Sequence, residues 1–96
     1  MPAVTRIGDA DVTHCSGMTR AQGSSNVFCN GIAVSRQSDN NTTHNLPGVP
    51  CPAHAAPIAS GSSTVKVNNL GCGRVGDAIS GCTSVAAGSG NVFAGG

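Results

Sequence analysis

The sequence contains no tryptophan, no tyrosine and no glutamate, and Phe28 and Phe93 are its only aromatic residues. Only 9% of its 96 residues are charged, and the formal net charge is +1. So little bulky apolar material excludes a large core. A chain of this length commonly leans on a metal, on disulfides or on a partner. Ile, Leu, Val and Phe together number 18, which is near the level seen in disordered chains. Disorder on those grounds also requires high net charge, and that is missing. Three of the five basic residues sit at matching repeat positions, so no basic stripe is left to track phosphates and nucleic acid is not an expected partner. No apolar run is long enough to span a bilayer, and nothing reads as a signal peptide. The expectation is a soluble chain made in the cytoplasm. There, the odd set Cys15, Cys29, Cys51, Cys72 and Cys82 speaks for metal binding or burial over a disulfide framework. No helical period of apolar residues appears.

What is present is a repeat. Residues 23–39, GSSNVFCNGIAVSRQSD, return 38 residues later as GSSTVKVNNLGCGRVGD. The back half of the unit opens the chain, because Arg6-Ile-Gly-Asp9 matches Arg36-Gln-Ser-Asp39 and Arg74-Val-Gly-Asp77. The front half closes it as Gly88-Ser-Gly-Asn-Val-Phe-Ala-Gly-Gly96. Joining the end to the beginning completes a third unit, so residues 1–96 read as one domain.

Each front half reads as a strand and a tight turn. Asn30-Gly31 and Asn68-Asn69 tolerate the positive φ of a two-residue hairpin. The third hairpin breaks off at Gly95-Gly96, and residues 2–6 are expected to supply its returning strand in space. The expected fold class is all-β: a small pseudo-threefold body of three β-hairpin repeats with long loops and adjacent termini. A period-two reading places Val27 with Cys29, Val65 with Val67, and Val92 with Ala94 on one face, toward a narrow interior. Phe28, Lys66 and Phe93 take the other face. Residues 15–22 read as a connecting loop. Residues 40–60, stiffened by Pro47, Pro50 and Pro52, read as an insertion without a counterpart.

Five residues past each repeated Asp stands a metal-competent side chain: His14, His44 and Cys82. Units arranged about an axis would bring these three together. His54 is the remaining histidine. Three His and one Cys complete a tetrahedral set for one zinc, with iron not excluded. Cys51, in Cys51-Pro-Ala-His54, competes with His54 for the fourth position. Asp9, Asp39 and Asp77 read as turn caps or as partners of Arg6, Arg36 and Arg74, or as supports for the ligands. A zinc-dependent hydrolase is the alternative, and it requires an open coordination position and a carboxylate base. Three of the four Asp are used in the repeat and there is no Glu, so the reading is a closed structural site and not an enzyme.

The repeat resembles that of PAAR proteins. Gly61-Ser62-Ser63-Thr64-Val65 and Arg74-Val75-Gly76-Asp77 carry the likeness, as do Gly23 to Gly31 with Arg36 and Asp39. The proline of the eponymous Pro-Ala-Ala-Arg motif is missing from Ala3-Val4-Thr5-Arg6, Ala33-Val34-Ser35-Arg36 and Gly71-Cys72-Gly73-Arg74. The resemblance implies a sharp cone with a zinc near its apex, held by His14, His44, His54 and Cys82. It implies a triangular base that docks, one monomer per trimer, on the trimeric β-helical spike of a contractile phage tail. Type VI secretion is the alternative setting. The tip would then belong to the virion and meet an outer membrane transiently during penetration. The front strands, with Val27, Phe28, Val65, Lys66, Val92 and Phe93, are the expected base contacts.

Overall fold

The structure is a computed structural model, and it describes residues 1–13, 16–44 and 54–95. Its regular elements are four short strands, and no helix occurs among the described residues. Strand β1 (Phe28–Cys29) pairs antiparallel with β2 (Ile32–Ala33), and β3 (Lys66–Val67) with β4 (Leu70–Gly71). Both connections have two residues at positive φ: Asn30 at 56° and Gly31 at 77°, Asn68 at 53° and Asn69 at 67°. That is the turn whose twist matches paired strands, and Asn and Gly are the residues that accept it.

The third hairpin is made by the two chain ends. Ala3 pairs antiparallel with Phe93, in the register that Ala33 takes with Phe28 and Gly71 with Lys66. The backbone N–H of Val4 donates to Val92 O, and that of Ala94 to Pro2 O, each at 3.0 Å. Every front hairpin is entered through a serine turn. Ser24 Oγ accepts the N–H groups of Asn26 and Val27, Ser62 Oγ those of Thr64 and Val65, and Ser89 Oγ those of Asn91 and Val92. The glycine before each serine lies under a carbonyl. A Cβ on Gly61 would sit 2.5 Å from Gly71 O, and one on Gly88 would sit 2.6 Å from Val4 O. This contact explains why the unit begins Gly-Ser.

Between the hairpins, three backbone hydrogen bonds close a cycle. Thr5 N–H donates to Gly73 O (3.0 Å), Gly73 N–H to Ser35 O (2.9 Å), and Ser35 N–H to Thr5 O (3.1 Å). The three residues each precede a repeat arginine. Above them the Arg–Asp signatures make one local structure three times. In each, the backbone N–H and Nε of the arginine donate to one Asp oxygen and Nη2 donates to the other. The aspartates therefore both cap the turn and pair with arginine.

Past each signature the chain forms a second hairpin. Ala10 pairs with Thr19, Asn40 with Pro57, and Ala78 with Ser84. These hairpins also pair around a ring: Asp11 with Val85, Arg20 with Asn41, and Ile58 with Ile79. Residues 40–60 are thus the longest of three equivalent arms, and the expectation of an insertion without counterpart is corrected. Residues 16–22 likewise contribute the returning side of the first arm, where a loop was expected. The periodicity had hidden this because the arms differ in length and share only their phase from the repeated Asp.

The core follows the layers. Val4, Val34 and Cys72 pack with Cys29, Val67 and Ala94, three equivalent residues from each side of the front hairpins. Ala56, Ile58, Ile79 and Val85 form a second cluster among the arms, with Cys82 against it. The closed cycle lies between them, since a Cβ on Gly73 would touch both Thr5 and Ile58. Val27, Val65 and Val92 are 36%, 40% and 38% exposed, so their expected place inside with Cys29, Val67 and Ala94 is corrected. The serine turn takes the N–H of each valine, so only its carbonyl still pairs across the hairpin and the alternation is broken there.

Candidate metal centre

The arms bring His44, His54 and Cys82 together. Their ligand atoms all lie within 4.8 Å of one another. His44 and His54 face each other across the middle arm, exchanging backbone N–H···O bonds of 2.9 and 3.1 Å. Their ring centroids are 4.2 Å apart. Cys82 reaches the same place from the shortest arm, where Gly81 at φ 61° lets the Cys82 N–H return to Ile79 O at 3.0 Å.

His44 is buried, and its Nδ1 lies 2.9 Å from Thr42 O. A carbonyl can only accept, so Nδ1 carries the proton and Nε2 keeps its lone pair. That lone pair faces Cys82 Sγ at 3.3 Å. Tetrahedral zinc with ordinary Zn–N and Zn–S bonds has ligand–ligand edges of about 3.3–3.6 Å, so this separation fits one edge of such a site. Two imidazoles and a thiol are the donor set of a zinc-type ion. A His44/His54/Cys82 group able to bind a metal ion is therefore present, and its chemistry leaves the identity of the metal open. Burial pushes the Cys82 thiol up. Metal binding must displace that proton.

Three of the four ligands expected from the sequence converge. The fourth, His14, lies outside the described residues, as does its competitor Cys51. No protonatable carboxylate stands idle among the described residues. Asp9, Asp39 and Asp77 each bind their repeat arginine, and Asp11 binds Arg20 at 2.9 Å with both side chains fully buried. Arg20 also donates to Ser35 Oγ and Asp39 O. Asp11 Oδ1 has no hydrogen-bond partner.

Reading the repeat alone missed Asn41, Thr42 and the Asp11–Arg20 pair. The signal was available in the phase: Asp11, Asn41 and Ile79 each stand two residues past a repeated Asp. The six expected base contacts, Val27, Phe28, Val65, Lys66, Val92 and Phe93, are all exposed.

No protein-family model matches the chain, and no curated protein matches it.

Proposed function

We propose that this chain is a PAAR-type spike tip: a pseudo-threefold cone, stapled by one structural zinc, that caps a trimeric β-helical spike. The observation that carries the reading is the closed cycle of Thr5, Ser35 and Gly73, flanked on each side by three hairpins paired around a ring. A monomer built this way offers three equivalent strand ends to a true trimer, and covering those ends would protect sheet edges that invite aggregation. The molecule's extents, 40 × 23 × 22 Å, have the one long axis and two equal short axes that such a body requires. Phe28, Phe93, Val27, Val65 and Val92 are exposed on the front hairpins, and Lys66 stands at the position of the two phenylalanines. They are the proposed contacts with the spike.

His14 joins His44, His54 and Cys82 in this reading, by its place five residues past Asp9. A metal joining all three arms rigidifies a tip that has little core. The role is mechanical and not catalytic, because each aspartate is held by an arginine and none is placed as a general base. The expected setting is the tail of a contractile phage, or a type VI secretion spike, with transient contact with an outer membrane.

The test mixes the chain with a trimeric β-helical spike protein and measures mass by light scattering after gel filtration. One copy per trimer is expected, and Phe28→Asp with Phe93→Asp should abolish the complex without changing metal content. A chain that ignores such trimers, or that binds equally well with both charges in place, refutes the assignment.

A further inference from the structure

We infer that Asn30 is a self-modification site, losing its side-chain amide by ring closure with Gly31 at a rate set by how often the first hairpin unlatches from the unit beside it. The inference depends on neither the metal centre nor the proposed spike contact.

The turns of the three front hairpins tie them into a ring. Asn30 Oδ1 accepts Arg6 Nη1 at 3.1 Å and Ser89 Oγ at 2.6 Å, and Nδ2 donates to Asn91 Oδ1 at 2.9 Å. A guanidinium can only donate, which fixes the orientation of the amide. Asn68 does the same with Arg36 Nη1 at 3.0 Å, Ser24 Oγ at 2.6 Å and Asn26 Oδ1 at 2.9 Å. In the third hairpin the backbone Gly95 O stands in for the side-chain oxygen and accepts Arg74 Nη1 and Ser62 Oγ. Each turn thus latches onto the serine turn of a neighbouring unit.

One of these latches carries the means of its own removal. Asn30 is the only asparagine in the chain followed by glycine. Gly31 lies in the turn, outside the paired register, and has no side chain to shield its nitrogen. At Asn68 the next residue is Asn69, which does have one, and Gly95 has no amide to lose. In the reaction the Gly31 nitrogen attacks Asn30 Cγ. A C–N bond forms, and the amide nitrogen leaves as ammonia with the Gly31 proton. Water then opens either carbonyl of the cyclic imide, leaving an aspartyl or isoaspartyl residue. The balance is one water in and one ammonia out.

The latch opposes this chemistry. Both ends of the carboxamide are held by other units, so Cγ turns to Gly31 only after those hydrogen bonds open. Conversion cannot be undone by reclosing. A carboxylate offers no N–H to Asn91, and an isoaspartyl link lengthens a turn whose two residues set the register.

The test compares the full-length wild type, Asn91→Ala, Asn91→Asp and a synthetic peptide of residues 26–34 at pH 8, with peptide mapping by mass spectrometry that separates the two products. Wild type should convert at Asn30 alone, at least about 10-fold more slowly than the peptide. Asn91→Ala removes the acceptor of Nδ2 at an exposed position and should move the rate toward that of the peptide. Asn91→Asp keeps an acceptor and should be no faster than wild type. A wild type as fast as the peptide, or equal rates for Asn91→Ala and Asn91→Asp, overturns control by the latch. A peptide that converts while folded wild type and Asn91→Ala both stay intact at Asn30 overturns the site itself.

Discussion

The buried Asp11–Arg20 pair can be exchanged for residues that the protein already uses elsewhere. Its two side chains are fully buried and 2.9 Å apart. At that distance the gross attraction is about 6 kcal/mol for an effective dielectric of 20. Removing two ions from water costs several kcal/mol each, so the net contribution of the intact pair is small. Breaking it is a different matter. Asp11 Oδ1 has no partner, and Oδ2 has Arg20. Arg20→Met therefore leaves a buried carboxylate unpaired, and also frees Ser35 Oγ and Asp39 O from their donors. A loss of about 3–5 kcal/mol follows, out of a total stability of roughly 5–15 kcal/mol for a domain of this kind. The matching positions of the other arms hold Ile58 and Val85 for Arg20, and Ile79 for Asp11. The double variant Asp11→Ile with Arg20→Val makes the first arm apolar at these positions, like the arm that holds Ile79 and Val85. It should recover most of the loss, because no charge is left to desolvate. The assay is urea unfolding of wild type, Arg20→Met, Asp11→Ile, Arg20→Val and the double variant at pH 7, with excess zinc throughout. Near-additive losses in the double variant would refute the reasoning, as would an Arg20→Met variant within about 1 kcal/mol of wild type.

Three further outcomes are expected. Elemental analysis should find about one zinc per chain, lost or sharply reduced in His44→Ala and Cys82→Ser, with thermal stability falling in both and in the chelated wild type. Burial pushes the Cys72 thiol from 9.0 up to about 11, so the folded chain keeps a proton that the unfolded chain releases. Stability from this group is complete below about pH 9 and declines toward pH 11; Cys72→Val, the residue found at the matching Val4 and Val34, should remove that part of the decline in unfolding measured across this range. Ser38 takes φ 76° where its counterparts Gly8 and Gly76 take 91°. Ser38→Gly should therefore stabilise the chain by about 0.5–1 kcal/mol in the same unfolding assay, since relief of left-handed strain exceeds the added chain entropy.

The front half of the fold was legible because its signals are local. An Asn-Gly pair dictates a hairpin by backbone sterics alone, and a constant spacing carries that hairpin to the next copy. The joining of the termini followed from the same count. The arms were not legible by those means. They span 10–19, 40–57 and 78–84, and no residue type recurs at one phase in all three; five past each Asp stand His14, His44 and Cys82. Arg20 illustrates the difficulty. A charged residue is seldom fully buried unless paired; Arg20 stands in residues 15–22, which read as a connecting loop, and its partner Asp11 lies nine residues earlier. Val27 failed for the opposite reason. Alternation was trusted over four residues, whereas pairing lasts for two because Ser24 captures the next N–H groups.

The departures from equivalence are concentrated where the chain does something other than fold. Around the Arg–Asp signatures the three units repeat the same hydrogen bonds with the same side chains, and at the closed cycle backbone groups alone suffice. Further along the arms the same three phases hold Asp11, Asn41 and Ile79, then Arg20, Ile58 and Val85. One arm carries an ion pair, one an amide and one only apolar groups. A body stabilised by equivalence alone has no need of this variety. A centre that must hold two imidazoles and one thiolate does, because each ligand requires a different neighbour. A carbonyl fixes the tautomer of His44, and Cys82 packs against the apolar cluster of the arms. Unequal arm lengths serve the same end, since they let His44, His54 and Cys82 meet instead of standing at equal distances from one axis. The asymmetry of the arms is therefore what brings two imidazoles and a thiol together on an otherwise repetitive scaffold.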